Sequence, residues 1–442
     1  MRTCFYAGPP FKLDHSNNSS HSNFANCVRY SPDGNVAVSV GSDKKIQFYD
    51  GTTGNPTTEI VDAHAGGIYS VAFSPDGTKI ITASADKTVK QWNVASLACE
   101  ATYTFSADPQ LGDMQVSVLW TPTAMLSLSL NGNINMLNQA NPAVPSCVIS
   151  GHQASISAMY LDKSDGTLYT GSADGVMITR SLSSSVSAKI TGLDKKSLCL
   201  GAHSNKVTGI SKVGDSIFSV GWDDKLRVTK IGSNVCSSDV GLNGQPVALT
   251  VGHGGSVTAV ITNKEVCLFR GFDRISVFTP TYAAVSVAMF GDEEIAIGGD
   301  DFKTHIYNVS VPGTFNHVID IETRSAVTAL AYSPNGDIAI GDAGRQVEVY
   351  ERGSWQCKVK SKWVFHTSKI TALSWSPSGT FLASGSFDES IIIWNIAKHS
   401  AKLHMQFAHM TGVSGVDWVD EGTLVSTGND NAVVMWKIPA EF

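Results

Sequence analysis

No apolar run in this chain approaches the length of about 20 residues that a bilayer-spanning helix needs, so no segment reads as membrane-embedded. The opening MRTCFYAGPPFKLDH lacks the apolar h-region of a secretory signal. Eight cysteines (positions 4, 27, 99, 147, 199, 236, 267 and 357) never form a C-x-x-C pair. They read as reduced, mostly buried thiols of a cytosolic protein, neither zinc ligands nor a disulfide framework. Charge is scarce as well: 16% of residues are charged, the net charge is −7, and no Lys/Arg stripe is visible. That balance argues against a nucleic-acid backbone as partner.

What the chain does have is glycine, forty in 442 residues, and many short β-rich runs. Together with 42% hydrophobic residues they point to an all-β class. The length exceeds one typical core and fits two domains or one extended array.

The stretch from His64 to Asn93 sets the pattern. Ile68 to Phe73 reads as a strand, and Ser74-Pro75-Asp76-Gly77 has the residues of a type I turn. Lys79 to Ala83 makes a second strand, Ala85-Asp86-Lys87 turns it back, and Thr88 to Asn93 runs out with Trp92 near its end. A lone meander cannot bury both of its faces, so it needs copies on either side. One copy is His366 to Asn395, in which Asp388 follows His366 at the distance that separates Asp86 from His64, and Trp394 again follows. Phased on the turn-Asp position, repeats fall at Asp43, Asp86, Asn131, Asp174, Asp224, Lys264, Asp301, Gly344, Asp388 and Asp430, roughly 40–45 residues apart. A leading His recurs at His21, His64, His152, His203, His366 and His409. The repeats at Lys264 and Gly344 lack both His and Asp, and are expected to be held by packing alone and to be the softest.

The recurring His…Asp…Trp pattern resembles the WD-repeat (WD40) family of β-propellers. The resemblance implies a hydrogen-bonded set inside each blade: His64, Ser84 or Thr82, Asp86 and Trp92; His366, Ser384 or Ser386, Asp388 and Trp394; and likewise His409, Asp430 and Trp436. A His and an Asp so placed also suit a catalytic dyad, but a pattern repeated blade after blade is scaffold.

Ten repeats exceed a single ring of four to eight blades. The expected partition is one complete seven-bladed propeller at 146–442 and about three blades of a second, incomplete propeller at 1–145, with the junction at the Pro-containing 138–146 segment. Three blades cannot close a ring. Thr3 to Tyr6 looks like the end of a third strand and Pro9 to Leu13 like a fourth. The chain therefore reads as the C-terminal part of a longer two-propeller protein. The open arc is expected to leave apolar side chains in water.

A narrower resemblance rests on the run Phe5-Tyr6-Ala7-Gly8-Pro9-Pro10-Phe11-Lys12, on Val220-Gly221-Trp222-Asp223-Asp224, and on Leu424 to Asp430. These are similar to the actin-interacting protein 1 family. It implies a non-enzymatic scaffold without cofactor or metal that binds actin filaments together with ADF/cofilin and promotes their disassembly. It further implies a cytoplasmic protein of the actin cytoskeleton, monomeric at full length, without nucleic-acid or membrane partners. The candidate contact residues are Phe5, Tyr6, Phe11 and Lys12, on a rigid Pro-Pro corner that can present aromatic anchors; packing between blades is the other use for such residues. Asp33, Asp76 and Lys44-Lys45 sit on turns that reach a rim. Two other functional classes stand beside this one. One is a WD-repeat interaction hub unrelated to actin. The other is a propeller enzyme, which needs acids or histidines on several inner strands, where Asp417 is the acid expected.

Overall fold

The computed structural model describes residues 3–6, 13–17, 20–106, 108–149, 151–182, 187–190, 202–231, 236–252, 256–311 and 313–439. Among these residues ten antiparallel sheets follow one another, nine of four strands and the last of three, and a two-stranded pair precedes them. Within each sheet the strands pair in chain order, so the first strand forms one edge and the fourth the other. The two-stranded pair corrects the expected start. Thr3–Tyr6 pairs with Leu13–Asn17, not with a strand at Pro9 to Leu13.

Local chemistry sets the turns. In Ser74-Pro75-Asp76-Gly77 the Gly77 N–H donates to the Ser74 carbonyl at 2.9 Å, and Gly77 holds φ +74°. The Ser74 hydroxyl donates to Asp76, whose carboxylate also takes the Thr78 N–H. Ser31-Pro32-Asp33-Gly34 repeats the arrangement with φ +76° at Gly34. Asp33 and Asp76, expected as rim charges, thus fasten their own turns.

The second strands explain why the sheets must stack. Lys79–Ser84 is buried at every position after Lys79, and Phe381–Ser386 at every position after Phe381. A strand buried on both faces needs a layer on each side. Contacts divide the chain into two compact units, 1–151 and 152–442.

In the first unit, Ala25–Tyr30 packs against Ile68–Phe73, which packs against Gln115–Trp120. The strand Cys147–Ile149 completes the third sheet by pairing with Ile134–Met136. Along Ala25–Tyr30 nearly every residue is exposed, with Val28 and Tyr30 about half open to solvent.

In the second unit, the first strands are Ile156–Asp162, Val207–Val213, Pro246–Val251, Ala284–Phe290, Val327–Tyr332, Ile370–Trp375 and Val413–Asp420. Each packs on the next, and the last packs on the first. At the closure, the Thr427 hydroxyl donates to Met159 Sδ at 3.4 Å, and Lys163 pairs with Asp417 at 3.2 Å. This is a propeller ring, with sheets as blades around an axis.

Two devices hold blade to blade. Trp418 Nε1 donates to the Ser374 carbonyl and Trp375 Nε1 to the Ala331 carbonyl, each reaching back to the previous blade's first strand. The second is a glycine in the second strand facing a β-branched residue that opens the next blade. A Cβ on Gly385 would meet Val413 Cγ1 at 2.5 Å, and one on Gly298 would meet Val327 Cγ1 at the same distance. Gly171 stands in this relation to Val207 and Gly341 to Ile370. The first strand of the next blade therefore lies closer than any side chain allows.

Gly385→Val should force Val413 and its strand outward and cost about 1–3 kcal/mol as overpacking. The readout is the thermal unfolding midpoint, and an unchanged value would refute close packing at this seam.

Candidate functional site

The strongest polar constellation of the chain recurs in blade after blade. In the 370–405 sheet, Trp394 Nε1 donates to Ser384 Oγ at 2.8 Å, and Ser384 Oγ lies 2.8 Å from His366 Nε2. His366 Nδ1 reaches Asp388 Oδ2 at 3.0 Å. An indole N–H can only donate and an ionised carboxylate can only accept. The two ends therefore fix the direction there: Trp394 donates into Ser384 and His366 Nδ1–H donates to Asp388, while the Ser384 hydroxyl lies against His366 Nε2 and the Ile392 carbonyl. The 413–437 sheet repeats it with Trp436, Ser426, His409 and Asp430 at 2.8, 2.8 and 3.0 Å. In the 25–60 sheet Tyr49 takes the Trp place, joining Ser39, His21 and Asp43.

The structure resolves one open choice and changes one membership. In the 68–103 sheet the hydroxyl between Trp92 and His64 belongs to Thr82, at 2.9 and 2.7 Å, and His64 Nδ1 meets Asp86 at 2.9 Å. Ser84 stands two residues along the same strand. It donates instead to the Gly66 and Gly67 carbonyls and takes the Asp86 N–H. Ser386 does the same work beside Ser384, donating to the Ser368 and Lys369 carbonyls. In the 207–241 sheet the partner of His203 is Asp223 at 2.8 Å, not Asp224, which adopts φ +56° in the turn. Arg227 also reaches Asp223, at 3.2 Å.

Burial alone would raise the Asp86 and Asp388 carboxyls. Hydrogen bonds from His64 and Thr88, and from His366 and Ser390, outweigh it and hold both well below the usual carboxylate range. His203 shifts downward because it is buried, which favours its neutral ring.

The repeats without His and Asp are not held by packing alone. In the 327–363 sheet Gln346 Nε2 donates to Glu348 at 2.6 Å and the Tyr350 hydroxyl to the same carboxylate at 2.8 Å. The Gln346 N–H also donates to buried Asp342. In the 246–278 sheet buried Glu265 accepts from Arg274, Asn243 and the Cys267 thiol, each at 3.2 Å. Burial and the Glu265 hydrogen bond push Cys267 up to about 12. Of the five described thiols, Cys236 and Cys267 are buried while Cys99 is exposed.

Asp417 is not the sole acid on the inner strands, because Asp162 closes Ile156–Asp162. Each has a lysine partner: Lys212 lies 2.6 Å from Asp162 and Lys163 3.2 Å from Asp417.

The expected contact corner is only partly in view. Phe5 and Tyr6 lie on Thr3–Tyr6, paired with His15 and Leu13 through the backbone, while Phe11 and Lys12 lie outside the described residues. Lys45 is engaged with Glu59 at 2.7 Å.

A different surface emerges on the second unit. Its turns between second and third strands, and its connections between blades, fall at one end of the strands. Large apolar side chains stand exposed there: Phe407 at 83%, Met410 at 75%, Phe302, Phe387, Phe365 and Trp222. Most are chain neighbours of the polar groups just described: Phe387 precedes Asp388, Phe365 precedes His366, Met410 follows His409 and Trp222 precedes Asp223. The Ala408 N–H donates to the Glu389 carbonyl and the Thr411 N–H to its carboxylate, which draws the Phe387 turn against the Phe407–Met410 loop. Lys402 lies over the Phe365 ring at 2.9 Å, Lys369 over Phe387 at 5.3 Å and Lys206 over Trp222 at 4.9 Å. Solvent-facing aromatics with cations above them have the chemistry of a protein-contact surface. Sequence reasoning missed it because aromatics in an all-β chain default to the core. The available signal was their place beside the turn carboxylates.

Comparison with known proteins matches the WD domain, G-beta repeat family at residues 15–50, 54–93, 143–178, 357–395 and 401–437. The chain is 34% identical to actin-interacting protein 1 of Drosophila melanogaster and 36% identical to WD repeat-containing protein 1-B of Xenopus laevis. It is 33% identical to the 66 kDa stress protein of Physarum polycephalum. In each case the similarity spans 98% of this chain, and 70 or 71% of the relative.

Asp388→Ala takes the carboxylate from the His366 Nδ1–H, leaving it the Ser390 hydroxyl at 3.1 Å, and should cost about 1–3 kcal/mol at neutral pH. Because Asp388 is held low in the folded state, its stabilisation is present above about pH 4 and is lost as pH falls toward the lowered value. Urea unfolding of wild type and Asp388→Asn should therefore differ most between about pH 5 and 7, and the gap should begin to narrow as pH falls from about 4 to 3. A gap that stays constant across that range would contradict the arrangement.

Proposed function

The chain belongs to the actin-interacting protein 1 family, also named WD repeat-containing protein 1, and from that membership we propose that it is a non-enzymatic scaffold that binds actin filaments with ADF/cofilin and promotes their disassembly. The observation that carries this reading is similarity along 98% of the chain to relatives named for interacting with actin. The remaining parts belong to the same reading. The protein works in the cytoplasm beside the actin cytoskeleton, is monomeric at full length and needs no cofactor. Residues 1–151 supply blades of one propeller and 152–442 a seven-bladed second, the boundary expected at 145/146 being moved because Cys147–Ile149 pairs within the first unit.

The site chemistry supports binding over catalysis. The recurring pairs His64–Asp86 and His366–Asp388 are spent inside the blades, each bonded to a hydroxyl of the second strand. The groups offered to solvent at one end of the second unit are instead Phe387, Phe407, Met410 and Trp222. We assign this end as a filament-facing surface alongside the Phe5, Tyr6, Phe11 and Lys12 corner. Aromatic anchors of this kind carry most of the energy of an interface, with losses of about 2 kcal/mol or more on truncation.

Co-sedimentation with actin filaments tests both parts. The chain should pellet with filaments decorated by cofilin and pellet weakly with bare ones. Phe387→Ser combined with Phe407→Ser should weaken the cofilin-dependent association by about tenfold or more while the unfolding midpoint stays near wild type. Binding indifferent to cofilin would overturn the proposed activity, and a double variant that binds like wild type would overturn the assigned surface.

A further inference from the structure

Among the described residues, one cluster of metal-ligating side chains lies outside the blade networks. His305 stands on Lys303–Asn308, the third strand of the 284–322 sheet, and His317 and Asp320 on Asn316–Glu322, its outer strand. His305 Nδ1 lies 2.7 Å from Asp320 Oδ1, and His317 Nε2 lies 2.6 Å from the same oxygen. A ligand atom from each residue falls within 4.8 Å of the others.

The backbone is shaped to bring them together. Positions three apart on a regular strand face opposite sides of the sheet. Here the register pairs His305 with Asp320, Ile306 with Ile319 and Tyr307 with His317, so Val318 is an extra residue in a β-bulge. Because His305 and Tyr307 share a face, their partners Asp320 and His317 do too. The same irregularity between third and fourth strands recurs in the 68–103, 207–241 and 246–278 sheets, so the scaffold supplies the bulge and this blade places His317 and Asp320 on it beside His305.

The surroundings complete the case. His305 is buried, and its second nitrogen, Nε2, lies 3.1 Å from Asp301. Tyr282 stacks on the ring at 3.9 Å and Tyr307 meets His317 edge-on at 5.6 Å. Lys303 Nζ is 4.0 Å from the other oxygen of Asp320, leaving Oδ1 to the histidines. A carboxylate behind the distal nitrogen of a histidine fixes its tautomer and raises its basicity as a ligand. His305 thus has a carboxylate at each nitrogen. An imidazolium would donate to both, and a metal ion between Nδ1 and Asp320, with Nε2–H donating to Asp301, satisfies both as well.

We infer that His305, His317 and Asp320 form a binding site for one transition-metal ion of the Zn²⁺ type, with Asp301 as positioning residue. Two imidazoles and a carboxylate, half-open to solvent through His317, match a tetrahedral site whose fourth position is water. Metal–ligand bonds of about 2.0–2.2 Å place ligand atoms about 3.3 Å apart, so both histidine nitrogens must draw back from Asp320 Oδ1 to admit an ion.

The test is titration of the whole chain with Co²⁺, read by visible absorption, and with Zn²⁺ by calorimetry. One equivalent should bind with tetrahedral Co²⁺ absorption and without thiolate-to-cobalt charge transfer. His317→Ala and Asp320→Asn should each weaken affinity at least tenfold, and Asp301→Asn about tenfold or more, with unfolding midpoints near wild type. Absence of stoichiometric uptake, a thiolate spectrum, or unchanged affinity in His317→Ala would overturn the inference. Actin co-sedimentation does not enter this readout, so the two proposals stand or fall separately.

Discussion

Trp394 has one polar hydrogen and no acceptor, and Asp388 has acceptors only. Between them Ser384 and His366 complete an unbroken run of hydrogen bonds from donor to acceptor. That run joins four parts of one blade: the third strand, the second strand, the connection that enters the blade and the turn between second and third strands. Its members are buried, so a missing partner would leave a polar group without water to replace it. The turn and the connection lie at the same end of the blade, and the chain of bonds clamps one to the other. The exposed Phe387, Phe365 and Met410 are direct neighbours of clamped residues. Interior order is in this way passed to a surface that packing alone would leave loose.

The His-to-Asp spacing and the trailing Trp made the blade repeat legible, because these residues are rare enough in this chain for their recurrence to stand out. The hydroxyl between them was not legible. Thr82 and Ser84 lie two apart on one strand, share a face and are equally buried. Which one meets His64 depends on the rise of the strand relative to the entering loop, and residue type does not encode that. The carboxylate at Asp223 was missed for a related reason. Two adjacent aspartates offer the same chemistry, and only the left-handed backbone at Asp224 shows which one turns outward. The bulge at Val318 was beyond reach of any spacing argument, since it reverses the alternation on which such arguments rest.

The blades without His and Asp show that the requirement is satisfaction of buried polar groups, not a particular residue set. Glu348 gathers donors from its own sheet, while Glu265 takes Arg274 from its sheet and Asn243 from the connection that enters its blade. Glu265 thus ties the entering connection to the blade by another residue set than His366 does. The expectation of softness at these blades therefore rested on a sound premise about missing residues, while the further step to packing alone did not follow. A buried carboxylate stays ionised at low cost only where charge-assisted donors surround it, and Arg274 supplies one for Glu265.

Where chemistry can sit in such a fold follows from what each strand must do. First strands are pressed against the glycines of the preceding blade, as Val413 is against Gly385, and have no room to diversify. Second strands are buried on both faces, and third strands carry the aromatic donor. The fourth strand and the turns are left with freedom to vary without breaking a seam. The His305–His317–Asp320 cluster uses that freedom: two of its three ligands lie on an outer strand, where a bulge disturbs only one ladder. Its third ligand lies one strand inward and is buried, which gives the cluster one interior member for the two more open ones to meet. The exposed aromatics obey the same division at the strand ends. Interior uniformity and peripheral variety are thus two consequences of one requirement, that blades stack closely enough to bury both faces of every sheet.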